Sequence, residues 1–156
     1  MRRYKTMLLL PLNENCDHDY ILIQKELIGT GGSSNVYYGE MIVEAKLSKV
    51  AIKRPHAKIS LKREYENGTR LKALLQNTTI LEHFCIPITM TDDGAIVYPF
   101  LDGRTFEHEK SNVLPILTTL SMVLRILWEH GITHGDITKD NIFILNGIFP
   151  VFVDFD

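Results

Sequence analysis

The chain has little of what would tie it to a special environment. It holds two cysteines, Cys16 and Cys85, in 156 residues. That is no disulfide framework, so both are read as free thiols, and with no complete secretory signal this favours a reducing, cytoplasmic setting. No stretch approaches the ~20 apolar residues of a membrane span. Arg2, Arg3 and Lys5 ahead of an apolar run at 7–12 imitate a secretory signal. Pro11 interrupts that run, however, and polar residues 13–19 follow it too soon for an h-region of about 7–15 residues, so 1–19 reads as a tail or an ordinary strand. A net charge of -2 with no basic block gives no sign of nucleic-acid binding. Six prolines and ten glycines make neither a collagen nor a low-complexity linker. With 45% of residues hydrophobic and 23% charged, what remains is an ordinary globular chain, long enough to bury roughly 70% of its unfolded surface without staples.

Two patterns divide the chain. From 20 to 28 the residues alternate loosely and meet the tract Gly29-Thr30-Gly31-Gly32-Ser33-Ser34. β-formers resume at 36–38, Gly39 interrupts them, and 41–43 and 50–53 complete three expected antiparallel strands. Pro55 closes this region, and residues 60–76 are rich in helix formers, with Ser60 placed to cap them and Gly68 weakening their middle. Strand-like runs at 86–91 and 95–100 flank the turn Asp92-Asp93-Gly94. Beyond Asp102-Gly103 the period becomes helical: Val113, Ile116, Leu117, Leu120, Val123, Leu124, Leu127 and Trp128 recur until Gly131 supplies a C-cap. Runs at 142–145 and 151–153 around Asn146-Gly147 predict a last hairpin, leading into Asp154-Phe155-Asp156.

Four features carry chemistry. Gly29, Gly31 and Gly32 lie between two strands, where backbone amides can approach phosphate oxygens without a Cβ in the way; an unliganded glycine-rich hairpin is the plainer alternative. Lys53 ends the strand Val-Ala-Ile-Lys, and an inward-facing ammonium needs an anionic partner. Glu64 is preferred to Glu66 for that part because Leu71 and Leu74 are then expected on the same inward face; a lysine snorkelling from a strand end is the alternative. Asp136 and Asn141 stand five apart in His134-Gly135-Asp136-Ile137-Thr138-Lys139-Asp140-Asn141, a polar stretch where one can orient an attacking hydroxyl and the other ligate a cation. An Asx-rich loop capping a helix would look similar. Asp154 ends an apolar strand and needs a partner, either Mg²⁺ shared with Asn141 and phosphate oxygens or the strand end that it would cap.

Taken in order, glycine loop, strand lysine, helix glutamate, catalytic loop and metal aspartate resemble the protein-kinase-like superfamily over most of the chain. The resemblance implies an α+β fold: a five-stranded antiparallel N-lobe with one helix over 20–101, and a partial helical C-lobe over 102–156 that ends at the metal-binding aspartate. It also implies an ATP- and Mg²⁺-dependent phosphotransferase acting on a protein hydroxyl. Gly29, Thr30, Gly31, Gly32, Ser33 and Ser34 then form the phosphate-covering loop, Val36 lies above the adenine and Ala51 walls the base pocket. Lys53 and Glu64 resemble the family's ion pair, and Tyr98 the gatekeeper. Pro99, Phe100 and Leu101 resemble the hinge that offers backbone hydrogen bonds to adenine. Asp136 is similar to the catalytic base, and Asn141 and Asp154 to the metal ligands.

Departures from the family pattern temper the expectation. Ser34 stands for the third loop glycine, Gly135 for the arginine that anchors a phosphorylated activation loop, and Asp156 for the glycine of the metal motif. With Thr138 two residues past Asp136, the loop is more similar to atypical kinases, and regulation by loop phosphorylation is not expected. The rear helices of the family do not follow Asp156, so the apolar helix around 113–128 is expected to be covered by another chain or a second copy, and a protein substrate or a regulatory protein is the expected partner. The rival expectation is a truncated kinase mimic that binds and regulates another protein. The Asn-x-Thr triplets at Asn67 and Asn77 are incidental without a secretory signal, and His130 and His134 are not read as a metal pair.

Overall fold

A computed structural model describes residues 20–108 and 112–154, together with the backbone of 7–10. Cys16 and Asp156 lie outside the described residues. The chain forms two compact units, one of residues 1–65 and 87–100 and the other of 66–86 and 101–156. Residues 66–86, expected with the strand-rich front, thus fall in the later unit.

The first unit is built on one antiparallel sheet. Its strands are β1 (Met7–Leu10), β2 (Tyr20–Thr30), β3 (Ser34–Val43), β4 (Lys46–Pro55), β5 (Thr89–Met90) and β6 (Ile96–Pro99), in the spatial order β1-β2-β3-β4-β6-β5. The five expected strands are β2 to β6, and β1 adds a sixth at the edge by pairing Met7 with Ile23 through Leu10 with Tyr20. Of the expected strand at 86–91 only Thr89 and Met90 pair. β3 and β4 are longer than the sequence suggested, running in register from Ser34↔Pro55 to Val43↔Lys46. Their turn places Glu44 (φ 48°) and Ala45 (φ 63°) in the left-handed region, a primed-turn geometry without the glycine that usually announces it. Gly39 does not break β3. A Cβ there would lie 2.6 Å from Ile52 Cδ1 and 2.7 Å from the Ile23 carbonyl oxygen, so glycine lets three strands close up. Tyr20, Leu22, Met41, Val50, Ile52, Ala95 and Val97 form the core on one face.

Helix α1 (Lys62–Leu75) begins in the first unit and continues in the second. Ser60 Oγ accepts from the Lys62 amide at 3.3 Å, and the Tyr65 amide reaches the Leu61 carbonyl at 3.0 Å. The first helical bond falls on the Leu61 carbonyl, so the cap position lies one residue after the expected Ser60, whose hydroxyl still meets one amide of the first turn. The inward stripe is Glu64, Gly68, Leu71 and Leu75; Leu74, expected inside, is 50% exposed.

In the second unit, β7 (Gly103–Thr105), β8 (Ile142–Leu145) and β9 (Phe149–Phe152) form a small antiparallel sheet. β7 was not expected: Gly103 allows its backbone against β8, since a Cβ would lie 2.6 Å from the Ile144 carbonyl oxygen. Asn146 (φ 51°) and Gly147 (φ 75°) make the predicted turn, closed by the Ile148 amide on the Leu145 carbonyl at 3.2 Å. Helix α2 (Val113–Glu129) ends as expected at Gly131 (φ 67°), whose amide reaches the Trp128 carbonyl at 2.9 Å. Ile116, Leu120, Val123 and Leu127 of α2 join Leu71, Leu75, Ile80, Phe84, Ile142, Ile144 and Phe152 in the second core. Among the described residues no helix is long and apolar enough to cross a membrane.

Candidate functional site

The alternation of β4 sends Val50 and Ile52 into the core and Ala51 and Lys53 to the other face. Lys53 is buried there, 7% exposed, and so is Glu64 from the first turn of α1, 8% exposed. Lys53 Nζ donates to both carboxylate oxygens of Glu64 at 2.8 Å. This removes the snorkelling alternative for Lys53. One partner escaped the sequence reading, which gave Tyr98 no polar role: its hydroxyl donates to Glu64 Oε1 at 2.6 Å. β6 pairs Ala51 with Tyr98 and Lys53 with Ile96, so these four share one face, and Val36, opposite Lys53 in β3, joins them.

The glycine loop follows β2. The Gly31 amide donates to the Ser34 carbonyl at 2.8 Å, and the His56 amide donates to the Ser33 carbonyl at 2.8 Å. His56 also sets its ring nitrogens near the Gly32 carbonyl (3.2 Å) and Asn35 Oδ1 (3.3 Å), a brace that carries no local sequence signal. Ser34 is buried, whereas Thr30, Gly31, Gly32 and Ser33 are exposed. None of Gly29, Gly31 and Gly32 has a positive φ. A Cβ would meet nothing within 4 Å at Gly32, and only ordinary contacts of 3.7 Å and 3.6 Å at Gly29 and Gly31. Neither backbone conformation nor packing within the chain calls for glycine at these three positions.

The expected hinge is only partly available. The Phe100 amide donates to the Lys49 carbonyl at 3.3 Å and so is spent on the sheet, while its ring meets Tyr38 edge-on at 5.1 Å. Pro99 has no amide hydrogen to offer.

In the second unit, Asn141 Nδ2 donates to Asp136 Oδ2 at 2.8 Å and to the Asp136 carbonyl at 3.1 Å. The amide and carboxylate expected to converge therefore do so. The Val153 amide donates to the Asn141 carbonyl at 3.0 Å, which extends the β8–β9 register to Asn141 and Val153, one residue before Asp154. Asp154 has φ 54°, an uncommon conformation that a short polar side chain tolerates. Burial, and then the Asp154 charge, push the Cys85 thiol up to about 12. His134 is buried, its ring tilted on Phe152 at 5.2 Å, whereas His130 is exposed with Nδ1 2.8 Å from the Ile126 carbonyl. Lys139 pairs with Glu107, which holds that carboxyl below its usual range and the lysine above its own. Among the described residues no three His, Cys, Asp or Glu side chains gather as a metal cluster.

No protein-family model matches the chain. It is similar to a serine/threonine-protein kinase, pkn2 of Myxococcus xanthus, with 25% identity over 130 residues. That similarity spans 75% of this chain and 15% of the kinase's length. Distant and partial as it is, it points to a kinase-like relationship, and the α+β architecture with its antiparallel sheet and two helices is compatible with a kinase-like N-lobe.

Proposed function

We propose that the chain carries the ATP- and Mg²⁺-binding machinery of a phosphotransferase, of the Ser/Thr protein-kinase kind, that moves the γ-phosphoryl group of ATP to a hydroxyl. The observation that carries this reading is the buried Lys53–Glu64 pair. A buried ion pair gives a fold little net stability over apolar residues of similar volume, so its place here is better explained by an anionic ligand. Glycines that the chain itself does not require add to this, since they leave room for phosphate oxygens at the loop amides.

In this reading Lys53 orients the phosphates and Asp136 accepts the proton of the attacking hydroxyl. The hydroxyl oxygen bonds to the γ-phosphorus as the bridging oxygen leaves with ADP. Asn141 keeps its Oδ1 for a cation while its Nδ2 holds Asp136. Oxygen donors from Asn141 and Asp154 suit Mg²⁺, which takes one or two protein ligands beside phosphate and would neutralise charge on the transferring group. A protein substrate is the partner this implies.

A second reading, a kinase-like module that binds and regulates another protein, is favoured by α2, where Leu114 is 75% and Trp128 77% exposed. Transfer of label from γ-labelled ATP with Mg²⁺, to the protein itself and to a protein mixture, separates the two. Asp136→Asn is expected to slow transfer by about 10²-fold or more, the range for a general base, with nucleotide affinity nearly unchanged. No transfer by the wild type would overturn the phosphotransferase reading in favour of the binding module.

A further inference from the structure

Tyr98 is 9% exposed, and a buried phenol must find an acceptor for its hydroxyl. The acceptor here is Glu64 Oε1, at 2.6 Å. The same oxygen receives Lys53 Nζ at 2.8 Å, and Oε2 receives Lys53 as well. All three side chains are under 10% exposed. Because Tyr98 lies opposite Ala51 and Lys53 opposite Ile96, the phenol and the ammonium rise from the same sheet face two residues apart in register, and both converge on one carboxylate of α1.

We propose that Tyr98 is a positioning residue: its hydroxyl fixes the rotation of the Glu64 carboxylate, and through it the Lys53 ammonium, before any nucleotide arrives. The role in phosphate orientation rests on the phosphotransferase reading; the fixing of the pair does not. The terminal torsion of a glutamate is broad and soft. Two contacts from one ammonium leave the carboxylate free to swing about that cation. A third contact, from a donor on a different strand, removes that freedom. It also ties the first turn of α1 to β6 as well as to β4, so the lysine is held without the ligand's help. Such pre-organisation acts on the reacting geometry more than on ground-state affinity.

Tyr98→Phe removes the hydroxyl and keeps the ring. The ligand-free readout is the ¹H–¹⁵N signal of the Lys53 side-chain ammonium, assigned through Lys53→Arg, which a buried, hydrogen-bonded ammonium makes visible by slow exchange. It is expected to broaden or move in Tyr98→Phe. With ATP and Mg²⁺, kcat is expected to fall about tenfold, the worth of one hydrogen bond to a charged group, while KM for ATP stays within about threefold. In a Glu64→Gln background Tyr98→Phe should add less than about twofold, because a residue acting through Glu64 has nothing left to act on. Should Tyr98→Phe fail to fold, Tyr98→Met fills the site without a hydroxyl and the same losses are expected. An unchanged Lys53 signal, or an equal effect of Tyr98→Phe with and without Glu64, would overturn the proposal. A Lys53 signal that depends on the Tyr98 hydroxyl in a protein that turns over no ATP would leave the positioning intact and remove the phosphotransferase reading instead.

Discussion

Glycines that look alike in the sequence have opposite relations to their surroundings. Gly39 is boxed in by Ile52 Cδ1 and the Ile23 carbonyl oxygen, at 2.6 Å and 2.7 Å from where a Cβ would sit. One of those neighbours is backbone in a paired strand and cannot move aside. Gly39→Ala is therefore expected to destabilise by about 1–3 kcal/mol, the usual cost of overpacking. Gly32 has open space and no positive φ, so Gly32→Ala should be neutral or stabilise by about 0.4–1 kcal/mol through the unfolded chain. Urea midpoints check both. The same Gly32→Ala should weaken ATP binding if the loop amides approach phosphate; a variant that gains stability and keeps full affinity would count against the loop's assigned part. The glycine tract was visible in the sequence because three glycines in four residues are unusual between strands. The need at Gly39 was not, since it arises from partners 16 residues before and 13 residues after it, brought close only by sheet register.

Elements were legible where local chemistry and periodicity agree. Asp93-Gly94 and Asn146-Gly147 announce their turns, and Gly131 announces the end of α2. The Glu44-Ala45 turn was hidden because its residues carry no left-handed preference, and β7 because its three residues begin at Gly103, where the pair Asp102-Gly103 marks the change to a helical period. On α1 the inward face was set one residue early. At 3.6 residues per turn Leu75 lies about 20° from Glu64 around the axis and Leu74 about 80°, which is why Leu75 is buried and Leu74 is not.

The β5–β6 turn also carries a pH prediction. Partial burial pushes the Asp93 carboxyl up, but hydrogen bonds from Thr91 and Arg54 and the Arg54 charge outweigh it, leaving it below its usual range. A carboxyl depressed in the folded state adds stability above its unfolded value of 3.8, and loses it as pH falls through the lower folded value. Asp93→Asn is thus expected to cost under about 1 kcal/mol at pH 7, discounted because the pair faces solvent, and nothing once both states are protonated. Equal urea midpoints for wild type and variant at pH 7 would show that the pair contributes nothing.

At the scale of the whole chain, the order of the chemical residues was more informative than any one of them. Lys53 with Glu64, and Asp136 with Asn141, are 11 and five residues apart, and each pair is in direct contact in the structure. Sequence spacing allowed the contacts because each pair sits at the junction of a regular element and a short connection. It did not disclose the Tyr98 hydroxyl, which reaches Glu64 across 34 residues. If these residues serve one nucleotide, binding should stabilise the folded chain as a whole. A ligand at about 100 times its dissociation constant adds about 2.7 kcal/mol, and for a chain of this size about 1 kcal/mol raises the melting temperature by roughly 2–4 °C at the midpoint. Saturating ATP with Mg²⁺ is therefore expected to raise the wild-type melting temperature by about 5–10 °C. Lys53→Ala leaves the Glu64 carboxylate buried without its cation, so the variant should melt lower on its own account, and the comparison must be made on the ATP-dependent increment. That increment is expected to shrink in Lys53→Ala as the phosphates lose their cation. An equal increment in both proteins would mean that the nucleotide does not contact Lys53, and the buried pair would then be a structural feature of the sheet and α1.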